Sequence, residues 1–486
     1  MILIDILLIS IVKINKTFIM LGGDMNLQKE VLFYNDEAIN SLVEGIKRKS
    51  VKKAEKDGAP FGPDIKVALE YFLDLGRKLG LKVTNYDNYI GEIEFGDGEE
   101  TLGILGHIDV VPEGENWTYP PFAGKIVDGK IYGRGASDNK GPVIACLYAM
   151  KCLKDLNVKL NKKVRLLIGC DEESDWECVK YYFDFLNKPQ PEIAFTPDAI
   201  FPVIFSEKGI FQFDFIKKSD EFREIYLEGG IATNSVPDMA SIILKNINES
   251  KLIKLIEEYN ENKEYKINYK KVTEEKIEIF AQGKAAHGAM VEVGYNSIQN
   301  LFCFLKEFHT IQDDMYSIVN FFHNKLKMES DGNSMELKFI DSELGDLTIN
   351  IGKIQIIDNE LRISFDLRYP AKLKFETLLN QINKIKKEYE FEMEIIKNQS
   401  PLYKEKNSYL ISTLLSIYED VTGEKDVHPI SLSGGTYARA LDNCVAFGAR
   451  FKNQRSVAHQ VDEFMDLENF KMLLKIYIET IYKLAN

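Results

Sequence analysis

Five short stretches of this chain carry residue types that bind metal ions, and four of them follow apolar runs of buried-strand length. Leu102–Gly106 leads into His107 and Asp109. Val164–Gly169 leads into Asp171, Glu172 and Glu173. Ile193–Thr196 leads into Asp198, and Cys444–Gly448 is followed after a loop by His459. The fifth stretch is the Gly-rich loop Gly133–Gly141, which contains Asp138. In open α/β sheets ligands gather beyond the carboxyl ends of the strands. Two histidines and several carboxylates gathered there suit a pair of hard-to-borderline divalent cations, zinc first, with manganese or cobalt as alternatives.

Each residue has a chemical reason to stand where it does. Side chains at i and i+2 of an extended segment share a side, so Asp109 can accept the second ring N–H of His107 and fix its tautomer. Glu172 and Glu173 are adjacent and point in different directions, so one can hold a metal while the other stays free as a base. Metal-assisted hydrolysis needs that division. A bound water is acidified to a pKa of about 7, and a placed carboxylate moves its proton to the leaving amine. The glycines around Asp138 permit turns that a β-carbon forbids, and a carboxylate there can bridge two metals about 3.5–4 Å apart. Taken singly, His-x-Asp reads as a strand-end ion pair and Asp171–Asp175 as a solvated acidic turn; their combination is what points to a site.

His309, His323 and His428 have no motif around them and read as surface or satisfied core residues. His287 lies in the small-residue turn Gly283–Met290, where a histidine delivered by a second domain can stabilise an oxyanion as the domains close.

Positioning these groups takes a large α/β protein. The 486 residues exceed what one core usually supports, so two domains are expected. The 45% hydrophobic and 28% charged content is that of a globular chain, and the net charge of −14 argues against a nucleic-acid partner. Six cysteines show no CxxC pair and read as free, mostly buried thiols of a cytoplasmic protein. Periodicity predicts helices over 28–50, 63–80 and 141–156, the last packing its Val143, Ile144, Leu147 and Met150 face on a sheet rich in parallel strands. From about 208 the texture changes. Phe211–Ile216, Lys276–Phe280 and Leu361–Leu367 alternate as half-buried antiparallel strands, and 240–265 reads as a charged helix. From Tyr409 the tail returns to helix, strand and helix.

The expected organisation is a catalytic domain over 25–207 and 396–486, with a second domain over 208–395 inserted into it. Met1–Leu21 is apolar but interrupted by Asp5 and lacks a small-residue cleavage site, so residues 1–24 read as an N-terminal extension with Met20 and Met25 as alternative starts, a weak membrane anchor and a packed extra strand or helix being the other readings. No stable membrane association is expected from so short a run.

In combination and in this order, the segments resemble the M20 family of di-zinc metallopeptidases, nearest its PepV-like dipeptidase branch. The likeness rests on Gly106–Pro112, Tyr132–Gly141, Asp171–Glu173, Phe195–Ala199, Ser433–Arg439 and Ala458–Glu463. It implies an α/β zinc-peptidase catalytic domain, with a mixed, largely parallel sheet flanked by helices, and an inserted α+β lid. His107 and Asp198 would hold one zinc, Glu173 and His459 the other, and Asp138 would bridge both. Glu172 would be the general base toward a metal-bridging water, with Asp109 orienting His107. The Asp138–Asn139 peptide would be cis. His287 would bind the oxyanion, Arg368 the substrate's free carboxylate, and Asn234, Gly434 and Gly435 would lie along the peptide. The implied activity is hydrolysis of short peptides, chiefly dipeptides, by a monomer; a deacylase of N-acyl amino acids is the alternative on the same scaffold, and a non-catalytic binding protein a remoter one. Two departures stand out. Val291 follows Met290 where the family often has proline, and Phe451-Lys452-Asn453 replaces the usual Phe-Pro-Gly.

Overall fold

The computed structural model describes residues 26–308 and 313–486; the N-terminal extension and His309 lie outside them. The chain divides into two compact units. The first runs to Val203 and takes up Lys406–Pro429 and Thr436–Asn486, and the second comprises Ile204–Glu405 and Ile430–Gly435. Residues 396–405 and 430–435, assigned by sequence to the first domain, therefore pack with the second.

In the first unit six strands lie side by side in the order Lys82–Tyr86, Ile90–Phe95, Lys163–Gly169, Thr101–His107, Ile193–Thr196, Cys444–Ala446. The last four run parallel, and the first two are antiparallel additions at one edge. All seven residues of Thr101–His107 are buried, as a central parallel strand covered on both faces requires. Parallel pairing has a direct consequence: His107, the Cys170–Glu173 turn and the Pro197-Asp198 turn all leave the sheet at one edge.

The helices follow local signals. Pro63–Lys78 opens with proline at its first position and carries Asp64 in its first turn and Arg77 and Lys78 in its last, matching the helix dipole. Its apolar stripe Ala68, Leu69, Phe72, Leu73, Leu75 is buried. Lys140–Asp155 is buried at every residue from Lys140 to Met150, well beyond the single face expected, because it packs against the helices Asn35–Ile46 and Leu467–Ala485 as well as the sheet. The region read as one helix over 28–50 is three pieces, Leu27–Glu30, a 3₁₀ turn Val31–Tyr34, and Asn35–Ile46.

The second unit is built on an eight-stranded sheet, in the order Ile267–Lys271, Lys276–Gln282, Met239–Lys245, Tyr226–Gly229, Thr348–Ile357, Glu360–Tyr369, Gly209–Lys218, Glu392–Gln399. Every pairing in it is antiparallel. Residues 240–245, read from sequence as the start of a charged helix, are instead a strand; Ala240, Ile242 and Leu244 alternate inward and the helix begins at Glu249. The central strands are buried more deeply than half. Phe213 and Phe365 face each other in register, with rings stacked at 4.9 Å, and Phe215 stacks on Phe391 at 4.9 Å. No helix among the described residues is long and apolar enough to cross a membrane.

Candidate metal centre

His107 ends its strand fully buried. Its Nε2 lies 3.1 Å from Oδ1 of Asp138 and 3.6 Å from Oδ2 of Asp198. The other oxygen of Asp138 lies 3.2 Å from Nε2 of His459, and that nitrogen is 3.0 Å from Oε1 of Glu173. The two oxygens of Asp138 thus face two separate groups, His107 with Asp198 and His459 with Glu173. Ligand atoms of His107, Glu172 and Asp198 lie within 4.8 Å of one another, as do those of His107, Asp138 and Glu173, so each trio could share a cation.

The placement of these side chains has local causes. Asp138 sits in a loop with Gly135 at φ +86°, where an added Cβ would lie 2.9 Å from Val110. The Asp138–Asn139 peptide is cis. Asn139 donates from its side chain to the Pro197 carbonyl at 2.7 Å and to Asp198 at 3.3 Å, joining the Asp138 loop to the Asp198 turn. His459 is more than half exposed and adopts φ +64°, a left-handed conformation that turns its ring back toward the carboxylates.

Asp109 faces His107 through both its main chain and its side chain. The Nδ1 of His107 is 3.0 Å from the Asp109 backbone carbonyl and 3.5 Å from its carboxylate. The carboxylate accepts the backbone N–H groups of Glu172 and Glu173, each at 3.0 Å. Both the carbonyl and the carboxylate of Asp109 thus stand at Nδ1 of His107, and the carboxylate also organises the turn that carries both glutamates.

Within the site, the compensation that the carboxylates find comes from the two imidazoles. Among the described residues, no lysine or arginine pairs with Asp138, Glu172, Glu173 or Asp198. Burial and the Asp138 charge push Glu173 up to about 7 despite the opposing His459. Burial raises Glu172 well above the usual carboxylate range, with the Asp198, Glu173 and Asp109 charges adding to it. Partial desolvation pulls His459 down, but Asp138 and Glu173 push it up to about 11. Partly buried carboxylates crowded around two imidazoles are the donor set of a divalent-cation site, and the residues present fit one.

The other sequence candidates lie in the second unit. His287 is exposed, pairs with Ser235 across a two-stranded ribbon, and accepts the Ala289 N–H at its Nδ1. Asn234 is exposed, and its carbonyl accepts the Gly288 N–H at 2.7 Å. Arg368 is buried, and its Nε and Nη2 make a fork to Asp366 at 3.0 and 2.9 Å. Beside Gly434 an added Cβ would meet only the Leu432 side chain, at 3.8 Å, whereas Gly435 is exposed. Val291, standing where proline is common, opens a short 3₁₀ turn, and Met290 N–H bonds the His287 carbonyl at 2.8 Å. At the other departure, a turn closes where Gln454 accepts the Phe451 N–H.

Residues 103–483 match the profile of peptidase family M20/M25/M40. A provisionally named dipeptidase of Staphylococcus haemolyticus is 34% identical over 472 residues, covering 94% of this chain and 99% of the relative. Another from Staphylococcus saprophyticus is 36% identical, covering 93% of this chain and 98% of the relative. Among solved structures, an M20 family metallo-carboxypeptidase from Sulfolobus solfataricus superposes with a TM-score of 0.56 at 18% identity, over 92% of this chain and 99% of that one.

Proposed function

The chain belongs to peptidase family M20/M25/M40 and is a metallopeptidase, and from that premise we propose that it is a dipeptidase working with two divalent cations, zinc in the first place. The observation that carries the two-cation reading is Asp138, whose two oxygens face His107 with Asp198 on one side and His459 with Glu173 on the other. The dipeptidase reading takes its support from the names of the staphylococcal relatives.

When bound, the cations supply Lewis acidity and make a water acidic near neutral pH. The chain's own residues do the rest. Glu172, held by its backbone to Asp109 and partly buried, takes the proton of the attacking water and delivers it to the leaving amine. Glu173 is kept out of that role by its contact with His459. In the second unit, His287 serves the oxyanion of the tetrahedral intermediate. Arg368, oriented by Asp366, takes the substrate's free carboxylate, since a guanidinium fork matches a carboxylate. Asn234, Gly434 and Gly435 line the peptide.

The test is hydrolysis of dipeptides by metal-loaded protein, run beside N-acyl amino acids and the Glu172→Ala variant. Dipeptide cleavage that disappears in the variant is the expected result. Cleavage of acyl substrates alone moves the protein to a deacylase role with the same site. Turnover of neither, with two metals bound, overturns the catalytic reading.

A further inference from the structure

Behind the metal-facing residues lies a buried ion pair with no role in the chemistry described above. Glu463 is fully buried and Arg134 is 2% exposed, and Nη1 of Arg134 donates to Oε2 of Glu463 at 2.9 Å. The remaining bonds of Glu463 converge on one loop. Its Oε2 accepts the Gly135 N–H at 3.1 Å, and its Oε1 accepts the N–H groups of Ser137 and Asp138 at 2.9 and 3.1 Å and the Ser137 hydroxyl at 3.1 Å. Three N–H groups from Gly135–Asp138 aimed at one carboxylate form a backbone nest, an anion-binding concavity filled here by a side chain of the chain itself.

Arg134 reaches the other way. It donates to the Gln460 carbonyl at 3.0 Å, one residue past His459, and to the carbonyls of Pro112 and Glu113 at 3.3 and 3.2 Å, just beyond Asp109. One ion pair therefore touches the continuation of the His107–Asp109 segment, the loop that bears Asp138, and the loop that bears His459. Five donors already use the two oxygens of Glu463, so it does not compete for a metal.

We propose that Arg134 and Glu463 are positioning residues that hold the Asp138 loop and the His459 loop in the register at which Asp138 faces both imidazoles. The inference rests on the metal-pair reading above. Glu463 fixes the Asp138 backbone from behind, so the carboxylate direction is set before any cation arrives. Outer contacts of this kind commonly change metal affinity without touching the metal.

The experiment is a cobalt(II) titration followed by the visible d–d spectrum, with kinetics alongside. Glu463→Gln keeps the size but puts an amide NH₂ where N–H groups now point. Its cobalt affinity is expected to fall about 10–100-fold with an altered d–d band, and kcat to fall while KM stays within about twofold. Arg134→Lys keeps the charge opposite Glu463 but loses the fork to Gln460, Pro112 and Glu113, and a smaller loss in the same direction is expected. It also serves if Glu463→Gln does not fold. Glu463→Asp restores the charge and is expected to recover part of the affinity. The comparison variant is Tyr182→Phe, in the buried Glu92–Tyr182–Arg165 cluster of the same unit, which should lower the melting temperature and leave the cobalt titration unchanged. Cobalt binding by both Glu463→Gln and Arg134→Lys indistinguishable from wild type overturns the inference and leaves the metal site standing. A wild-type chain that takes up no cobalt overturns the metal-site reading and this inference with it.

Discussion

The carboxylate of Asp109 holds Glu172 by its main chain: Oδ1 accepts the Glu172 N–H at 3.0 Å, while Oδ2 takes the next N–H along the turn. A side chain already ordered by the His107 strand thus aims the proposed base. Asp109→Ala removes the acceptor of two part-buried N–H groups, each costing up to about 1–3 kcal/mol if water does not replace it. The expected outcome is a fall in kcat with a weakened metal site, measured by steady-state kinetics and metal content after dialysis. Unchanged kcat in a fully metal-loaded Asp109→Ala protein would show that the turn holds itself.

Chelation tests the metal reading without catalysis. Crowded, partly buried carboxylates destabilise the fold once no cation is present. Removing metal held at a hundredfold excess over its Kd forfeits about 2.7 kcal/mol, so the first unit should melt at least about 5 °C lower. Adding zinc back should restore the transition. A calorimetric scan insensitive to chelator and zinc alike speaks against any resident cation.

Arg368 is tested by substrate chemistry. Arg368→Lys loses the planar fork, and KM for dipeptides with a free C-terminus should rise about tenfold or more, the equivalent of ~1.4 kcal/mol. Dipeptide amides, lacking the carboxylate, should barely respond. An equal effect on both substrate sets would assign Arg368 to packing with Asp366.

Stability should decline in alkali, and the sign follows from the buried tyrosines. Burial pushes the phenols of Tyr148, Tyr182, Tyr437 and Tyr477 above their ordinary value. The unfolded chain then releases these protons first, near pH 10, so the folded state binds more protons and stability falls as pH rises further. Tyrosinate absorbance should appear together with loss of structure. Full titration of all tyrosines in a folded protein would refute this.

Phe365→Ala probes the second unit by itself. Its ring stacks on Phe213 in the sheet core, and truncation should cost about 3–5 kcal/mol. Metal stoichiometry should not change, and calorimetry with metal analysis checks both.

Much of the metal centre was legible because its chemistry is local to strand ends. An apolar run followed by His107, Glu172 or Asp198 announces a buried strand and what emerges from it. Where sequence misled, local and tertiary signals disagreed. Residues 240–245 precede a Lys- and Glu-rich stretch and read with it as helix, but neighbouring strands claimed their alternation. The full burial of Lys140–Met150 could not be seen in a pattern showing one apolar face, because a second and third helix close over it. Glu463 and Arg134 stood within the quoted motifs, yet nothing in one dimension says that a carboxylate 325 residues after Asp138 binds its backbone N–H.

The sequence by itself determined the residue types, their order and the strands that precede them, since periodicity and ligand chemistry are properties of short segments. Only the tertiary structure decided which oxygen of Asp138 faces which histidine, that the Asp109 side chain serves the glutamate turn as well as His107, and that one ion pair reaches three ligand-bearing segments. Those are distances between residues far apart in the chain, set when parallel strands bring their ends to one edge and buried polar groups find the partners that burial demands.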